Sequence, residues 1–396
     1  MIAMRTKRIL SVQPVAERGG SDHALMRMCR YLVAQGWEFH VVFPETSPMA
    51  PEFLAAGAKL HVVPMRRLTR SGGAGYFAAY AVWWPISVLR LWFVARKVRP
   101  GVVHSNSIHS WYGWAVAWLL RAPHVWHARE IVVQSRWALR VERYLARRFA
   151  WRVVAVSAPV AAQFDGSNVA VVHDALGPED GLSPERAGNF RAGAGIADDV
   201  LLIGAAGRLD TWKGFDVLLG AFPAIRRQRP DVELVVAGGP VRGKEAYAAG
   251  LAATAQGTEG VHWLGPRTDM ADFMADLDLF VLPSTEPEPF ASSALEALAS
   301  GTPLAATDHG GSPEMLRACP DGTGKLFRPR DPGALVEAVI AMLPAHPSSA
   351  ARRRARPAQL VGDPAEFSVL FEEALVSSRK PWSLLSKPWS GPGPEP

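Results

Sequence analysis

Two glutamates, Glu288 and Glu296, lie eight residues apart in the run EPEPFASSALEALASG at 286–301. Proline and serine residues between them are typical of a first helical turn, so the run predicts a helix start between the two carboxylates. A helix N-terminus presents N–H groups without helical partners and the positive end of the helix dipole, which together favour a phosphate. The carboxylates could then bind hydroxyl groups on either side of that phosphate. The candidate binding residues at this helix start are Phe290, Ala291 and Ser292.

A second motif, GRLDTWKG at 207–214, places Arg208 and Lys213 between a predicted strand and a predicted helix. An arginine fork and a lysine point charge are suited to a diphosphate, and they would stabilise the negative charge that builds on a leaving nucleotide. A third motif, DHGGSPE at 308–314, has two glycines before another helix start. Such a loop can bring backbone N–H groups close to a ligand.

These motifs lie in a chain that alternates short apolar strands with amphipathic helices, which predicts parallel strands joined by crossover helices. The alternation loosens at 174–199, a segment rich in Gly, Pro and charge, and then begins again. We therefore predict an α/β protein with two doubly wound, Rossmann-like domains facing each other across a cleft. Ligands of such sheets bind at the carboxyl ends of the strands.

Four segments follow from this pattern. Residues 1–180 form an N-terminal Rossmann-like domain, and residues 181–363 form a C-terminal Rossmann-like domain. A C-terminal helix covers 364–380, and the proline-rich segment 381–396 is expected to be disordered.

The composition narrows the function classes. The net charge of +6 suits an anionic partner such as a nucleotide or an anionic membrane face, without choosing between them. No nucleic-acid signature appears, and the basic run at 352–356 is interpreted as a solvated surface segment. Neither the two cysteines nor any His, Cys and Asp cluster has the spacing of a metal site, so we expect no metal.

The N-terminal apolar run is too short for a signal peptide, so a cytoplasmic protein is expected. Residues 71–89 carry no charge, and the segment 76–99 is rich in Trp and ends in several basic residues. Three interpretations remain open for this segment: a buried domain helix, a helix on a membrane surface, or a membrane span. A surface helix would place the protein peripherally at the inner face of a membrane.

The combination of GRLDTWKG, EPF followed by LEALASGTP, and GGSPE resembles glycosyltransferase family 4. The resemblance covers residues from about 8 to about 377, and it includes the glycine loop at Gly19-Gly20. It implies the GT-B fold and a retaining hexosyltransferase that uses a nucleotide diphosphate sugar and no metal. The resemblance also implies a carbohydrate acceptor, and a lipid-linked or surface polysaccharide precursor would suit the segment 76–99.

Roles are carried over only where the motifs match. Arg208 and Lys213 would bind the donor diphosphate, Glu288 would contact the donor sugar near the reacting carbon, and Glu296 would bind the ribose. Gly19 and Gly20 would lie near the donor phosphates and the acceptor. In HVWHARE at 124–130, the match implies that His127 contacts the sugar, with Arg129 and Glu130 as weaker acceptor-side candidates. His104 is interpreted as a structural residue at a strand end.

Two departures from the family pattern concern the site. Ala291 stands where the family usually has glycine, so its methyl group could crowd the donor sugar. The run His173-Asp174-Ala175 stands where the family commonly has Asn-Gly, so this turn could differ. Neither departure removes a charged group of the expected site.

The resemblance implies an oxocarbenium-like transition state and a front-face reaction in which the leaving phosphate accepts the acceptor proton. From the sequence alone, replacing Lys213 with alanine should abolish transfer with little loss of stability. Two other functions remain as alternatives: a sugar-nucleotide epimerase of the same fold, and a catalytically silent partner in a membrane-associated assembly. A phosphorylase of this fold would need a pyridoxal lysine, which the motifs fit poorly.

Overall fold

The computed structural model describes residues 6–66, 73–133, 135–166, 168–177, 180–182, 189–345 and 362–376. The predictions for the basic run 352–356 and the segment 381–396 lie outside these residues, and the loose segment 174–199 and the predicted helix 364–380 lie partly outside them. The chain divides into two compact units. The first contains residues up to Ala175 and the C-terminal helix, and the second runs from Leu176 to Gly362.

The first unit is a parallel sheet with helices in the crossovers. Its seven strands are β1 (Arg8–Val12), β2 (Glu38–Phe43), β3 (Lys59–Val62), β4 (Val102–Ser105), β5 (His124–Ala128), β6 (Arg152–Ala155) and β7 (Val169–Val171). Its crossover helices are α1 (Gly20–Ala34), α2 (Ala50–Ala55), α3 (Ala74–Val98), α4 (Gly113–Leu120), α5 (Arg136–Phe149) and α6 (Ala158–Ala161).

The strand order in this sheet is β3-β2-β1-β4-β5-β6-β7. The order reverses between β1 and β4, so the loops after these two strands lie at a topological switch point, where ligands of open α/β sheets bind. The crossovers through α3, α4 and α5 all run in one direction along the sheet, and those through α1 and α2 run in the other. Because such crossovers are right-handed, the two groups of helices cover opposite faces.

The second unit repeats the architecture with six parallel strands. They are β8 (Leu201–Ala206), β9 (Val232–Ala237), β10 (Val261–Gly265), β11 (Leu279–Leu282), β12 (Leu304–Thr307) and β13 (Gly324–Phe327). Its helices are α7 (Asn189–Ala194), α8 (Phe215–Gln228), α9 (Glu245–Gln256), α10 (Met270–Asp276), α11 (Ser292–Ala299), α12 (Ser312–Arg317) and α13 (Pro332–Met342).

In the second sheet the order is β10-β9-β8-β11-β12-β13, so the switch point lies between β8 and β11. These two strands pair directly, with Ile203 opposite Leu279. Their buried residues belong to two apolar cores, one on each face of the sheet. The sheet therefore fixes the loop after β8 next to the loop after β11, and these loops carry GRLDTWKG and EPEPF.

The C-terminal helix α14 (Pro364–Val376) packs on the first unit, on the face that also carries α1. Its Phe371 ring lies 5.9 Å from Trp37 and 5.8 Å from His104, centroid to centroid. The ring of Phe367 lies 5.6 Å from His127. The helix is thus part of the core of the first unit, although it follows the second unit in sequence.

Helix α3, which covers most of the segment 76–99, has a buried inner face and an exposed apolar outer face. The inner face packs in the core through Val88, Leu91 and Ala95, and Ser87 Oγ donates to the Pro64 carbonyl at 2.7 Å. The outer face exposes large apolar side chains. By length and composition alone, Gly75–Val98 could cross a membrane. A helix whose inner face belongs to the core of a folded domain cannot be surrounded by lipid, which argues against a span.

Candidate functional site

The centre of the candidate site is an ion pair between the loops that follow β8 and β11. Lys213 Nζ donates to Glu288 Oε1 at 2.6 Å, and the two side chains are only 13% and 7% exposed. The second oxygen, Glu288 Oε2, accepts a hydrogen bond from Ser284 Oγ at 2.8 Å. The structure therefore brings together two of the charged residues predicted from the sequence, at the switch point of the second sheet.

The two loops are joined through their backbones. The Thr285 N–H donates to the Trp212 carbonyl at 2.7 Å, and Gly214 lies directly against Pro283. Gly214 has φ +70°, and a Cβ atom built there would lie 2.0 Å from the Pro283 carbonyl oxygen. Only glycine suits both the backbone conformation and the space. Gly214, the last residue of GRLDTWKG, thus allows the loop that carries Lys213 to lie directly against the loop that carries Glu288.

The neighbours of Lys213 also restrict its position. Its Nζ lies 4.5 Å from the centroid of the Trp212 ring, within the range of a cation–π contact. Asp210 pairs with Lys244 at the start of the same loop. Burial opposes ionisation of Asp210, but hydrogen bonding and charge from Lys244, with smaller contributions from Arg208 and Trp212, keep its pKa below the ordinary value. Arg208 follows the strand directly and has an exposed side chain.

The predicted helix start is present as α11, which begins at Ser292 with Ala291 as its N-cap. Alanine has no side-chain oxygen, so Ala291 cannot cap the N–H groups of the first turn. Its methyl group is buried in the core of the second unit. Phe290 is half-buried before the helix, and Glu296 lies half-buried in the second turn. The first residue of the helix, Ser292, thus lies four residues after Glu288 in the chain.

The two glycines of DHGGSPE, Gly310 and Gly311, contact the backbone of the loop that carries Glu288. The Gly311 N–H donates to the Glu288 carbonyl at 2.8 Å. A Cβ atom at Gly310 would lie 2.1 Å from the same carbonyl oxygen, and one at Gly311 would lie 2.4 Å from the Pro289 carbonyl oxygen. The sequence analysis predicted that this loop approaches a ligand. In the structure its close approach is to the backbone of Glu288 and Pro289, and it holds the carboxylate in place.

The glycine loop of the first unit is fixed by a buried carboxylate that the sequence analysis did not identify. Gly19 is the N-cap of α1, and its N–H donates to Asp22 Oδ2 at 3.2 Å. Gln13 Nε2 donates to Asp22 Oδ1 at 2.7 Å, and Asn106 Nδ2 donates to Gln13 Oε1 at 3.1 Å. Burial raises the pKa of Asp22 to about 6, although the hydrogen bonds from Gln13 and Gly19 oppose this shift. Gly20 is exposed as the first residue of the helix.

The acceptor-side candidates Arg129 and Glu130 are both held by partners within the first unit. Arg129 forms a two-pronged ion pair with the buried Asp174, with Nη1 to Oδ1 at 2.8 Å. Glu130 accepts hydrogen bonds from the Ser107 hydroxyl and from the Ile108 N–H. Asp174 belongs to the turn where the family pattern differs, so this departure supplies the partner of Arg129.

The two histidine candidates lie in the core. His127 is buried on β5, with Nε2 3.4 Å from Arg129 Nη1 and its ring against Phe367. His104 is also buried, with Nδ1 2.9 Å from Ser11 Oγ. Burial lowers the pKa of both rings well below the ordinary value. This position fits the structural interpretation of His104, and it argues against direct contact between His127 and a sugar.

Sequence reasoning missed the groups that orient the site. Gln13, Asn106, Asp174 and Ser284 are polar residues in loops that follow strands, Asp22 lies in the first turn of α1, and the chain contains many polar residues in such positions. The signal that could have found Asp22 is its place three residues after Gly19, where an acidic residue can complete a capping box. Among the described residues, no group of three or more His, Cys, Asp or Glu side chains is placed to hold a metal ion.

Two doubly wound units with charged loops at a switch point are typical of nucleotide-binding enzymes, and each unit matches a family model of glycosyltransferases. Residues 19–174 match the family model described as the glycosyl transferase 4-like domain, and residues 201–344 match the model described as glycosyl transferases group 1. Together the two matches cover most of the chain and both units. The chain belongs to the family 4 glycosyltransferases, and its fold class is GT-B with two Rossmann-like domains, as the sequence predicts.

Among similar proteins is the lipopolysaccharide core biosynthesis mannosyltransferase LpsB of Rhizobium meliloti, 30% identical over 53% of this chain and 60% of the relative. The D-inositol 3-phosphate glycosyltransferase of Streptomyces scabiei is 28% identical over 80% of this chain and 77% of the relative. The crystal structure of Anabaena Alr3699/HepE in complex with UDP and glucose has a TM-score of 0.74 and 21% identity. It covers 94% of this chain and 100% of that one.

Proposed function

We propose that this chain transfers a sugar from a nucleotide diphosphate sugar to an acceptor hydroxyl, with retention of anomeric configuration and without a metal ion. The observation that carries the proposal is the contact between Lys213 and Glu288 at the switch point of the second sheet. A cation and a carboxylate in contact can bind the two ends of the reacting bond, because the cation binds the phosphate and the carboxylate binds the sugar. HepE, which was solved with UDP and glucose, supports a nucleotide sugar as the donor.

Three groups would stabilise the leaving diphosphate: Lys213, Arg208 and the N–H groups at the start of α11. Because Ala291 cannot cap those N–H groups, a phosphate oxygen can accept from them. The two positive side chains replace the charge that a divalent cation supplies in other transferases. Glu288 would bind a hydroxyl of the donor sugar, and Glu296 would bind the ribose.

The reaction breaks the bond between the anomeric carbon and the phosphate oxygen and forms a bond from the same carbon to the acceptor oxygen, on the same face. The acceptor proton moves to the leaving phosphate oxygen, so no separate base is required. Lys213 and Arg208 act most strongly after the bond to phosphate lengthens, because the negative charge on the diphosphate is then largest.

The acceptor would be a carbohydrate, in particular a lipid-linked or surface polysaccharide precursor. The relative named as a lipopolysaccharide core mannosyltransferase supports this class. The exposed apolar face of α3 supports contact between the segment 76–99 and a membrane surface. The protein would then work in the cytoplasm, peripherally at the inner face of the membrane.

A thermal-shift screen against UDP-, GDP-, ADP- and dTDP-sugars tests the donor site. We expect one nucleotide class to raise the melting temperature of the wild type and not that of Lys213→Met. An NMR product assay with the identified donor then distinguishes transfer from epimerisation and reports the anomeric configuration. Inversion would refute the retaining mechanism, epimerisation without transfer would favour the epimerase, and no binding of any nucleotide sugar would favour a silent assembly partner.

A further inference from the structure

Helix α3 exposes an apolar face that is unusually large for the surface of a soluble domain. Phe93 is 54% exposed, and its exposed neighbours along the helix recur at helical spacing. The face contains no acidic residue, because α3 contains none, and Arg96 and Lys97 lie exposed at its C-terminal end. The exposed apolar side chains of this face are Val82, Trp83, Ile86, Leu89 and Phe93.

The apolar surface continues onto α4, which exposes Trp118 and Leu119. Helix α4 lies between α3 and α5, since its Trp114 ring contacts Trp84 of α3 at 5.9 Å and stacks on Phe149 of α5 at 4.4 Å. The three helices cover the same face of the sheet, so their outward sides form one continuous surface. We call the outward sides of α3, α4 and α5 the docking face.

Helix α5 adds an aromatic and basic stripe to the docking face. Trp137, Arg140, Tyr144 and Arg147 are exposed and recur every three or four residues, so they share one side of the helix. Trp137, at 68% exposure, and Tyr144 are large aromatic side chains with a polar edge. Such side chains occupy the boundary between lipid tails and headgroups, and neighbouring arginines bind anionic headgroups.

The charge of the docking face is strongly one-sided. On α3, α4 and α5, the exposed charged side chains among the described residues are all basic: Arg90, Arg96, Lys97, Arg140, Arg147 and Arg148. Glu142, the one acidic residue in the three helices, is buried against His109. The remaining surface is therefore complementary to an anionic partner, and its apolar part suits lipid tails.

We propose that the docking face binds the surface of an anionic phospholipid bilayer, with the apolar side of α3 inserted among the tails and the α5 stripe on the headgroups. The proposal deepens the proposed function, because it states how the enzyme reaches a membrane-bound acceptor. It involves only the first unit, whereas the donor residues lie in the second. The geometry assigns α5 the role of selecting anionic lipid, which the apolar face of α3 cannot supply.

Vesicle flotation of the full chain tests the electrostatic part. The probes are vesicles of phosphatidylcholine alone and of phosphatidylcholine mixed with phosphatidylglycerol, at low and at high salt. Arg140→Gln with Arg147→Gln should weaken binding to the anionic vesicles by roughly 30-fold, since each basic residue near such a surface contributes about fivefold. The matched control, Arg227→Gln with Arg328→Gln in the second unit, should bind like the wild type.

A second pair of variants tests insertion of the apolar face. Leu89→Gln with Phe93→Gln should reduce binding to both kinds of vesicle by about tenfold or more, because both side chains would be buried in lipid. The control pair, Leu54→Gln with Val369→Gln, has similar exposure of 58% and 57% but lies on α2 and α14, on the opposite face of the same sheet. The control should not change binding.

Thermal shift with the donor nucleotide separates this proposal from the proposed function, because all four variants should keep the wild-type response. Equal binding of the wild type to neutral and anionic vesicles would overturn the role of the α5 stripe. Unchanged vesicle binding by the Leu89 and Phe93 variant would overturn insertion. The proposal would also be overturned if the wild type did not bind vesicles and formed dimers in light scattering, while the Leu89 and Phe93 variant was a monomer. A second copy of the chain would then cover the docking face instead of a membrane.

Discussion

The ion pair between Lys213 and Glu288 permits a double-mutant cycle that separates its effect on stability from its effect on catalysis. The perturbations are Lys213→Met, Glu288→Gln and the two together. Methionine keeps an unbranched stem that can still pack on Trp212, and glutamine keeps the shape of the glutamate. At 2.6 Å, and with an effective dielectric constant of about 20, the gross attraction between the charges is about 6 kcal/mol, most of which is offset by desolvation.

The sequence alone predicts little loss of stability on replacing Lys213 with alanine, whereas the ion pair leads us to expect a larger loss. Lys213→Met leaves the carboxylate of Glu288 buried with only Ser284 as a partner, which should cost about 3 kcal/mol. Glu288→Gln should cost less, because the longer lysine can turn its ammonium toward water. The double variant removes both charges and should lie within about 1 kcal/mol of the wild type, giving a coupling free energy of about 2 kcal/mol or more.

Urea denaturation of the four proteins measures the coupling, and a transfer assay on the same samples measures activity. Both single variants and the double variant should lose at least about 10²–10³ in kcat, because each lacks Lys213, which would stabilise the leaving diphosphate, or Glu288, which would bind the donor sugar, or both. Restored stability without restored activity is the expected signature. Additive stability losses would refute the ion pair, and an active double variant would refute the catalytic assignment.

Three further changes test the surroundings of the site. Gly214→Ala should lower the free energy of unfolding by about 2 kcal/mol or more in urea denaturation and should reduce transfer, because φ +70° and the Pro283 carbonyl exclude a Cβ atom. The control Gly220→Ala, in open space on α8, should be neutral or stabilising. Equal stability of the two variants would contradict this reasoning. The pKa of Asp22 rises from 3.8 to about 6 on folding, so its carboxyl group is harder to ionise in the folded state. As the pH rises from 4 to 7, the free energy of unfolding of the wild type should therefore fall by up to about 3 kcal/mol relative to that of Asp22→Asn. Parallel pH profiles of stability for the two proteins would disprove the burial argument. Transfer should be unchanged by EDTA, and a loss that added divalent cation reverses would contradict a metal-independent mechanism.

Much of the fold follows from the sequence because each strand is a short apolar run that precedes a helical pattern. Two strands, β7 and β13, have no clear strand pattern in the sequence, and their position and composition explain why. β7 has only three residues at the sheet edge, and β13 reads GKLF, with Lys325 exposed and the remaining residues only partly apolar. An edge strand has a partner on one side only and needs less apolar surface, so its pattern is weaker.

The charged residues of the site could be predicted for a different reason. Lys213 and Glu288 lie in loops that follow two predicted parallel strands, and the carboxyl ends of parallel strands meet at one edge of the sheet. The contacts that hold them could not be predicted. Nothing in the sequence around Ser284 indicates that its hydroxyl donates to the Glu288 carboxylate. The hydrogen bond from the Gly311 N–H to the Glu288 carbonyl joins two separate loops, so no local sequence pattern predicts it.

The ion pair also indicates why one cation would not be sufficient. In the structure the ammonium of Lys213 is already neutralised by Glu288, so a diphosphate that enters must share it with that carboxylate. A second positive group is then needed to make binding of a doubly charged ligand favourable, and exposed Arg208 on the same loop and the start of α11 can supply it. In the proposed reaction, negative charge would grow near Lys213 and positive charge would grow on the sugar near Glu288 as the sugar leaves the phosphate. Lys213 and Glu288 would then each be attracted to a developing charge of opposite sign, at opposite ends of the breaking bond. These two attractions in the transition state would replace the attraction between Lys213 and Glu288 in the ground state.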